Sequence, residues 1–226
     1  ATYDNDGFFY SGGIVLQDSF PTTAGSFDQS WNGPPLVWPP TTNFVDVVIT
    51  KYTPQGDARV FSTYFGGSEA ETVHSLVVNT QNELCFYGVT CSPNFPLTTG
   101  AYDTTYNGGS GNLVWAANGT QFSNGTDIYV SRFNVNGTAL IGSTLVGGSH
   151  DDGVNYIDPN NSCVFDSLVS NYGDIFRGEI MVDSTDNIYI ASTTRSNDFP
   201  IVGGFDNSLG GHQDGIIMKF NPDLTN

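Results

Sequence analysis

Residues 46–68 read DVVITKYTPQGDARVFSTYFGGS, and residues 127–149 read DIYVSRFNVNGTALIGSTLVGGS. Asp46, Lys51, Gly56, Ser62, Thr63, Gly66, Gly67 and Ser68 return as Asp127, Arg132, Gly137, Ser143, Thr144, Gly147, Gly148 and Ser149. The block opens a third time at Asp214, as DGIIMKFNPD. A second block follows each copy of the first: VVNTQNELCFYGVTCSPNFP ends at Pro96 and MVDSTDNIYIASTTRSNDFP at Pro200. Another copy of it, Tyr3 to Pro21, ends in Ser19-Phe20-Pro21. A recurrence of this length decides the architecture before any single residue is weighed.

The spacings agree once insertions are removed. The intervals Phe20 to Phe95, Asp46 to Asp127 and Asp127 to Asp214 are unequal as they stand. Trimming each to the shortest loop found elsewhere in the chain leaves the same unit of about 64 residues every time, so a fixed period underlies the chain. One structural unit is therefore repeated and decorated, with insertions at about 33–44, 108–125 and 150–173.

Each unit reads as β-structure. Val47, Ile49, Val60, Phe61, Leu76, Val78, Leu84 and Phe86 fall in short β-branched and aromatic runs bounded by Pro54-Gln55-Gly56, Asn136-Gly137, Gln81-Asn82 and Asp186-Asn187. The expected strands are 46–53, 57–65, 73–80 and 84–90, then 127–134, 138–146, 177–183 and 187–194. No apolar period of 3.6 persists over three turns, so helix is not expected. Four strands per unit is the signature of a β-propeller blade. The expectation is all-β: a partial blade over 1–45, blades over 46–126 and 127–213, and the start of another over 214–226. Two full blades and two partial ones cannot close a ring, which needs at least four. The expected completion is the rest of a longer chain, and open blade edges invite association.

The ordered pattern D-x-x-[IV]-x-[KR]-[FY]-x-x-x-G, S-T-x-x-G-G-S and [ST]-T-x-S-x-x-F-P resembles the SBBP-type β-propeller repeat of secreted bacterial proteins. The three insertions depart from that repeat, as do Leu84-Cys85 and Phe8-Phe9, where the family has an Asn or Ala-Tyr step. The resemblance implies a secreted or cell-surface location and a propeller scaffold. It implies no particular activity, because blades define the family.

The formal charge is −17, with six basic residues against 23 acidic ones. Such a surface repels nucleic acid and anionic membranes, so neither is an expected partner. No apolar run approaches the length of a membrane-spanning helix, and insertion by a helix is not expected. Acidic, Asn/Thr/Gly-rich composition suits an extracellular protein.

Candidate chemistry is sparse. Glu69, Glu71, Asp151 and Asp152 follow the two Gly-Gly-Ser turns, where hard oxygen ligands would suit calcium; no other cofactor is indicated. Asp4-Asn5-Asp6-Gly7 resembles a calcium-loop opening, but it aligns with the turns at Asn79–Asn82 and Asp183–Asp186. Cys91 at a strand end and Cys163 in an insertion are a candidate disulfide between neighbouring blades, whereas Cys85 aligns with Tyr10 and Tyr189 inside a strand. His74, His150 and His212 share no repeat position and no zinc spacing. No nucleophile elbow appears.

Trp38 and Trp115 lie in insertions that the repeat does not require, so they are candidate anchors for a protein or glycan. The simpler expectation is that each pins its own loop to the blade. Two function classes follow. One is a non-catalytic, adhesin-like scaffold binding protein or glycan. The other is a hydrolase or lyase acting on polysaccharide from the propeller's central face.

Overall fold

The computed structural model describes residues 1–34, 44–109, 114–115, 120–155, 176 and 178–226. It is all-β, with no helix among the described residues. β1 (Thr2–Tyr3), β2 (Phe9–Val15), β3 (Asp46–Tyr52) and β4 (Arg59–Phe65) form a first antiparallel sheet in chain order. β5 (Glu71–Val78) and β6 (Leu84–Thr90) begin a second. After a two-stranded ribbon of β7 (Val114–Trp115) and β8 (Gln121–Phe122), that sheet is completed by β9 (Asp127–Phe133) and β10 (Leu140–Val146), in the order β10-β9-β6-β5. β11 (Glu179–Val182), β12 (Ile188–Thr194) and β13 (Asp214–Phe220) form a third.

The sheets are phased half a unit away from the expected grouping. Strands 46–52 and 59–65 do not share a sheet with 71–78 and 84–90. They close the first sheet, and the chain crosses to the second through Gly66–Ala70. The boundary thus falls at the Gly-Gly-Ser turn and not before Asp46. The reason is local: Glu71 N–H donates to Val45 O and the Glu71 carboxylate accepts from Gly67 N, which folds the link across instead of into a hairpin. The four-residue turns open as expected. Asp4 Oδ1, Asn79 Oδ1 and Asp183 Oδ1 each accept two backbone N–H groups of their own turn, so the calcium-like opening at Asp4 is a repeated hairpin turn.

The second sheet lies between the other two. One buried cluster joins Tyr10, Ile49, Phe61 and Phe65 of the first sheet to Phe86, Tyr129 and Phe133 of the second. The other joins Cys85, Tyr87, Val89, Ile128 and Val130 to Ile180, Ile188, Ile190 and Phe220 of the third. Burial on both faces explains why β6 and β9 are buried along their whole length while β13 alternates. Phe65 is the hub of the first interface: its ring meets Phe27, Phe86, Phe95, Tyr129 and Phe133 at centroid distances of 5.0–5.9 Å. Each such pair adds about 0.5–1.5 kcal/mol beyond area burial.

The hairpin turn of each following sheet docks on the last strand of the one before. Phe27 N–H donates to Gly137 O at the first interface, and Tyr102 N–H donates to Leu224 O at the second. A Cβ on Gly137 would lie 2.4 Å from the Phe61 ring, and its φ is +64°. At the second interface both sizes are exchanged. Gly142 replaces Phe61, and Leu224 replaces Gly137 with a φ of +56°. Leu224 is fully buried, filling the space that Gly142 leaves. The large side chain moves from one wall of the interface to the other, at the cost of a left-handed leucine.

A double-mutant cycle in urea checks this exchange. Gly142→Phe should cost about 1–3 kcal/mol by overpacking, and Leu224→Gly about 2–4 kcal/mol by leaving a cavity. The double variant should be more stable than the sum of the two predicts, by roughly 1 kcal/mol or more.

Candidate functional site

The carboxylates with the largest upward shifts lie beneath the Gly-Gly-Ser turns, and the repeat built them twice. Glu71 starts β5 and is fully buried. Its Oε2 accepts from Gly67 N at 3.1 Å and its Oε1 from Thr90 Oγ1 at 2.6 Å. Asp152 holds the equivalent position in the next unit: Oδ2 accepts from Gly148 N at 2.7 Å and Oδ1 from Thr194 Oγ1. Thr90 and Thr194 each then accept from the N–H two residues on, at Ser92 and Ser196. The carboxylate thereby ties the turn leaving one sheet to the strand end of the next.

A second carboxylate stands beside each. Asp46 Oδ2 accepts from Asn32 N at 3.1 Å, and Asp127 accepts from Asn107 N and Gly108 N at 2.8 and 3.0 Å. Asp46 Oδ1 is buried with no hydrogen-bond partner among the described residues. A Cβ on Gly66 would lie 2.5 Å from Glu71 Oε2 and 3.2 Å from Asp46 Oδ1, so the turn glycine separates the two acids. Burial pushes Glu71 up to about 8 and Asp46 to about 7, and the Asp46 charge raises Glu71 further. Asp127 is pushed to about 7 and Asp152 to about 6 by the same loss of solvent.

The recurring sequence words are each other's partners across the sheets. Ser68 N and Oγ donate to Asn94 Oδ1, while Glu69 N donates to Ser92 Oγ. One unit on, Ser149 N and Oγ donate to Asp198 Oδ1, and His150 N donates to Ser196 Oγ. Gly-Gly-Ser thus clasps the Ser-x-x-Phe-Pro loop of the neighbouring sheet. The approach is close: a Cβ on Gly67 would sit 2.4 Å from Ser92 Cβ, and one on Gly148 would sit 2.5 Å from Ser196 Cβ.

The four acids expected near calcium divide into two pairs serving different turns. Glu71 and Asp152 are the clasp carboxylates. Glu69 is half-buried and accepts from Ser123 Oγ at 3.3 Å. Asp151 is buried and paired with Arg195 at 2.9 Å. No group of three or more candidate metal ligands occurs among the described residues. Asp151 and Arg195 take the places of Ala70 and Cys91, whose own contact is a hydrogen bond from Ala70 N to the Cys91 thiol at 3.2 Å. An ion pair in one unit replaces a neutral pair in the other.

Cys91 is a buried free thiol, as is Cys85, and burial pushes both up to about 12. The expected partner of Cys91, Cys163, lies outside the described residues, as does Trp38. Trp115 is placed only as a residue of β7, opposite Gln121. The side chain that ties this insertion to the core is Phe122, which is fully buried and 5.9 Å from the Phe176 ring. Sequence reading passed over it because the insertion has no second copy against which to align it.

The strand ends from which the insertions leave share one edge of the sheets. Val15 pairs with Asp46, Thr90 with Asp127, and Val146 with Ile128. The roots touch as well, since a Cβ on Gly109 in the second insertion would lie 2.2 Å from Asp151 at the base of the third.

Two outcomes test the clasp. Gly67→Ala and Gly148→Ala should each destabilise by about 1–3 kcal/mol through overpacking, measured by urea unfolding. The pH dependence follows from the raised carboxylates. Their folded pKa values exceed the unfolded ones, so the folded state holds more protons between pH 4 and 8 and stability falls as pH rises through that window. The melting temperature should therefore be higher at pH 5.5 than at pH 8.5 by several degrees, since about 1 kcal/mol moves it roughly 2–4 °C at this size. Glu71→Gln, whose amide can donate to Thr90 Oγ1 while its oxygen keeps Gly67 N, should flatten that slope. No protein-family model and no curated protein sequence matches the chain.

Proposed function

We propose that this chain is a non-catalytic extracellular scaffold of SBBP-type propeller blades. It belongs in a secreted or surface-attached bacterial protein, and its rim loops bind a protein or glycan in the manner of an adhesin. The stacking of successive four-stranded antiparallel sheets supports the blade reading. One observation carries the non-catalytic reading. The carboxylates with raised pKa, which elsewhere would suggest acid–base catalysis, are fully buried and recur at equivalent positions of successive sheets. Groups that tie the same turn in two successive units, out of reach of substrate, are structural.

The insertions supply the binding surface. They leave from one edge, the second is anchored through Phe122, and loops on a rigid frame are where recognition concentrates. Trp38 and Trp115 remain their proposed anchors, and calcium at the turn acids remains a proposal for the same edge.

A glycan array probed with the 226-residue chain, with reducing-sugar release measured alongside, tests this. Binding without release, lost when all three insertions are cut to the basic loop length and the melt is kept, is the expected result. Release of reducing sugar would favour the polysaccharide hydrolase or lyase instead. Retained binding by the trimmed chain would move the site to the sheets.

A further inference from the structure

One buried ion pair of the first sheet brings together the groups that form an amide. Lys51 of β3 and Asp4, in the turn between β1 and β2, are both almost fully buried, and Lys51 Nζ stands 3.1 Å from Asp4 Oδ2. Nζ also donates to Val135 O of the second sheet at 3.5 Å, and it lies 4.6 and 4.8 Å from the centroids of the Phe8 and Tyr10 rings. Two aromatic rings and a neighbouring turn thus close the pair off from solvent.

The two oxygens of Asp4 are held in different ways. Oδ1 accepts from Asp6 N at 3.1 Å and from Phe8 N at 2.8 Å. Oδ2 accepts from Tyr10 OH at 3.2 Å, and Tyr10 stands directly opposite Lys51 in the ladder. Two fixed N–H donors on one oxygen are what a tetrahedral oxyanion needs. A phenol on the other oxygen can pass a proton to a departing hydroxyl. A lysine amine taken out of water is a nucleophile.

Asp4, Tyr10 and Lys51 change as a set. In the third sheet they recur as Asp183, Tyr189 and Lys219. There Asp183 Oδ1 accepts from Thr185 N and Asn187 N, Oδ2 accepts from Tyr189 OH at 3.1 Å, and Lys219 Nζ lies 5.2 Å from the Tyr189 ring centroid. In the second sheet they become Asn79, Cys85 and Arg132, and Arg132 pairs instead with Glu83 and Asp223 at 3.5 and 3.6 Å. Arginine would serve an ion pair as well as lysine does. The carboxyl and the phenol accompany lysine, the cation whose nitrogen can be acylated, and both are absent where arginine stands.

We propose that Lys51 and Asp4 condense into an isopeptide bond that closes the first sheet covalently. The ion pair is the reactant. One Nζ proton passes to Oδ2, the neutral amine adds to Cγ, and the charge that develops on Oδ1 is held by Asp6 N and Phe8 N. A second Nζ proton reaches Oδ2 through the Tyr10 hydroxyl, the Cγ–Oδ2 bond breaks, and Oδ2 leaves as water. The amide nitrogen keeps the third proton, and no oxidant or cofactor enters.

Holding amine and carboxyl in contact makes the step intramolecular, which removes most of its entropic barrier. Two buried charges are costly to keep out of water, and a neutral amide relieves that cost. The bond ties the turn before β2 to β3 and encloses β2 and the first insertion in one covalent loop. The inference does not depend on the rim-loop reading.

Intact-mass spectrometry of the folded 226-residue chain tests the proposal. The expected mass is one water below that of the sequence, with a branched peptide joining Asp4 to Lys51 and no tryptic cut after Lys51. Lys51→Arg, which keeps the charge as Arg132 does in the second sheet, should restore the full mass and lower the melting temperature. Tyr10→Phe keeps the ring but loses the hydroxyl, so it should accumulate at the full mass and convert about a hundredfold more slowly. The full sequence mass in a chain with a cooperative melt would overturn the proposal and leave an ion pair only. A water loss that survives Lys51→Arg, as a cyclic imide at Asp6-Gly7 would give, would overturn it too.

Discussion

The buried carboxylate at the start of β5, and its copy at Asp152, is the constraint on which the stack depends. Glu71 holds Gly67 N with one oxygen and Thr90 with the other, so the chain leaving the first sheet is fixed to the end of the second. A buried polar group is costly unless satisfied, and here each carboxylate accepts from a backbone N–H and a threonine hydroxyl. The serine clasp and the aromatic cluster around Phe65 then act on surfaces already brought face to face.

This arrangement explains which residues recur and which drift. Gly67 and Gly148 cannot carry a Cβ because Ser92 and Ser196 lie against them. Positions facing only a neighbouring sheet change in compensating sets: Phe61 with Gly137 against Gly142 with Leu224, and Ala70 with Cys91 against Asp151 with Arg195. The backbone hydrogen-bond frame is fixed, and side-chain volume and charge are balanced locally within it.

The strands and their turns were legible because β-branched runs and Asx turns are local signals, and the repeat displayed each more than once. The phase was not legible. A repeat period has no intrinsic starting point, and it is the sheet order, with Glu71 bonded to Gly67 N and Val45 O, that shows the chain changing sheet at the glycines. Nor did the words Gly-Gly-Ser and Ser-x-x-Phe-Pro reveal that they bond to each other, since 26 residues separate Ser68 from Asn94. The acids at 69, 71, 151 and 152 stood out in sequence, but adjacency alone could not distinguish Glu71 and Asp152, which build the fold, from Glu69 and Asp151, which do not share that role. Phe122, in an unrepeated insertion, carried no signal at all.

The central claim is that the repeated carboxylates are buried internal ties. Carbon-13 NMR titration of the side-chain carboxyls in the folded chain tests it directly. The account predicts that Glu71 titrates near 8 and Asp152 near 6, both displaced upward by burial. Titration of both at the ordinary carboxylate value of about 4, in a chain that stays folded, would place them in solvent and contradict it.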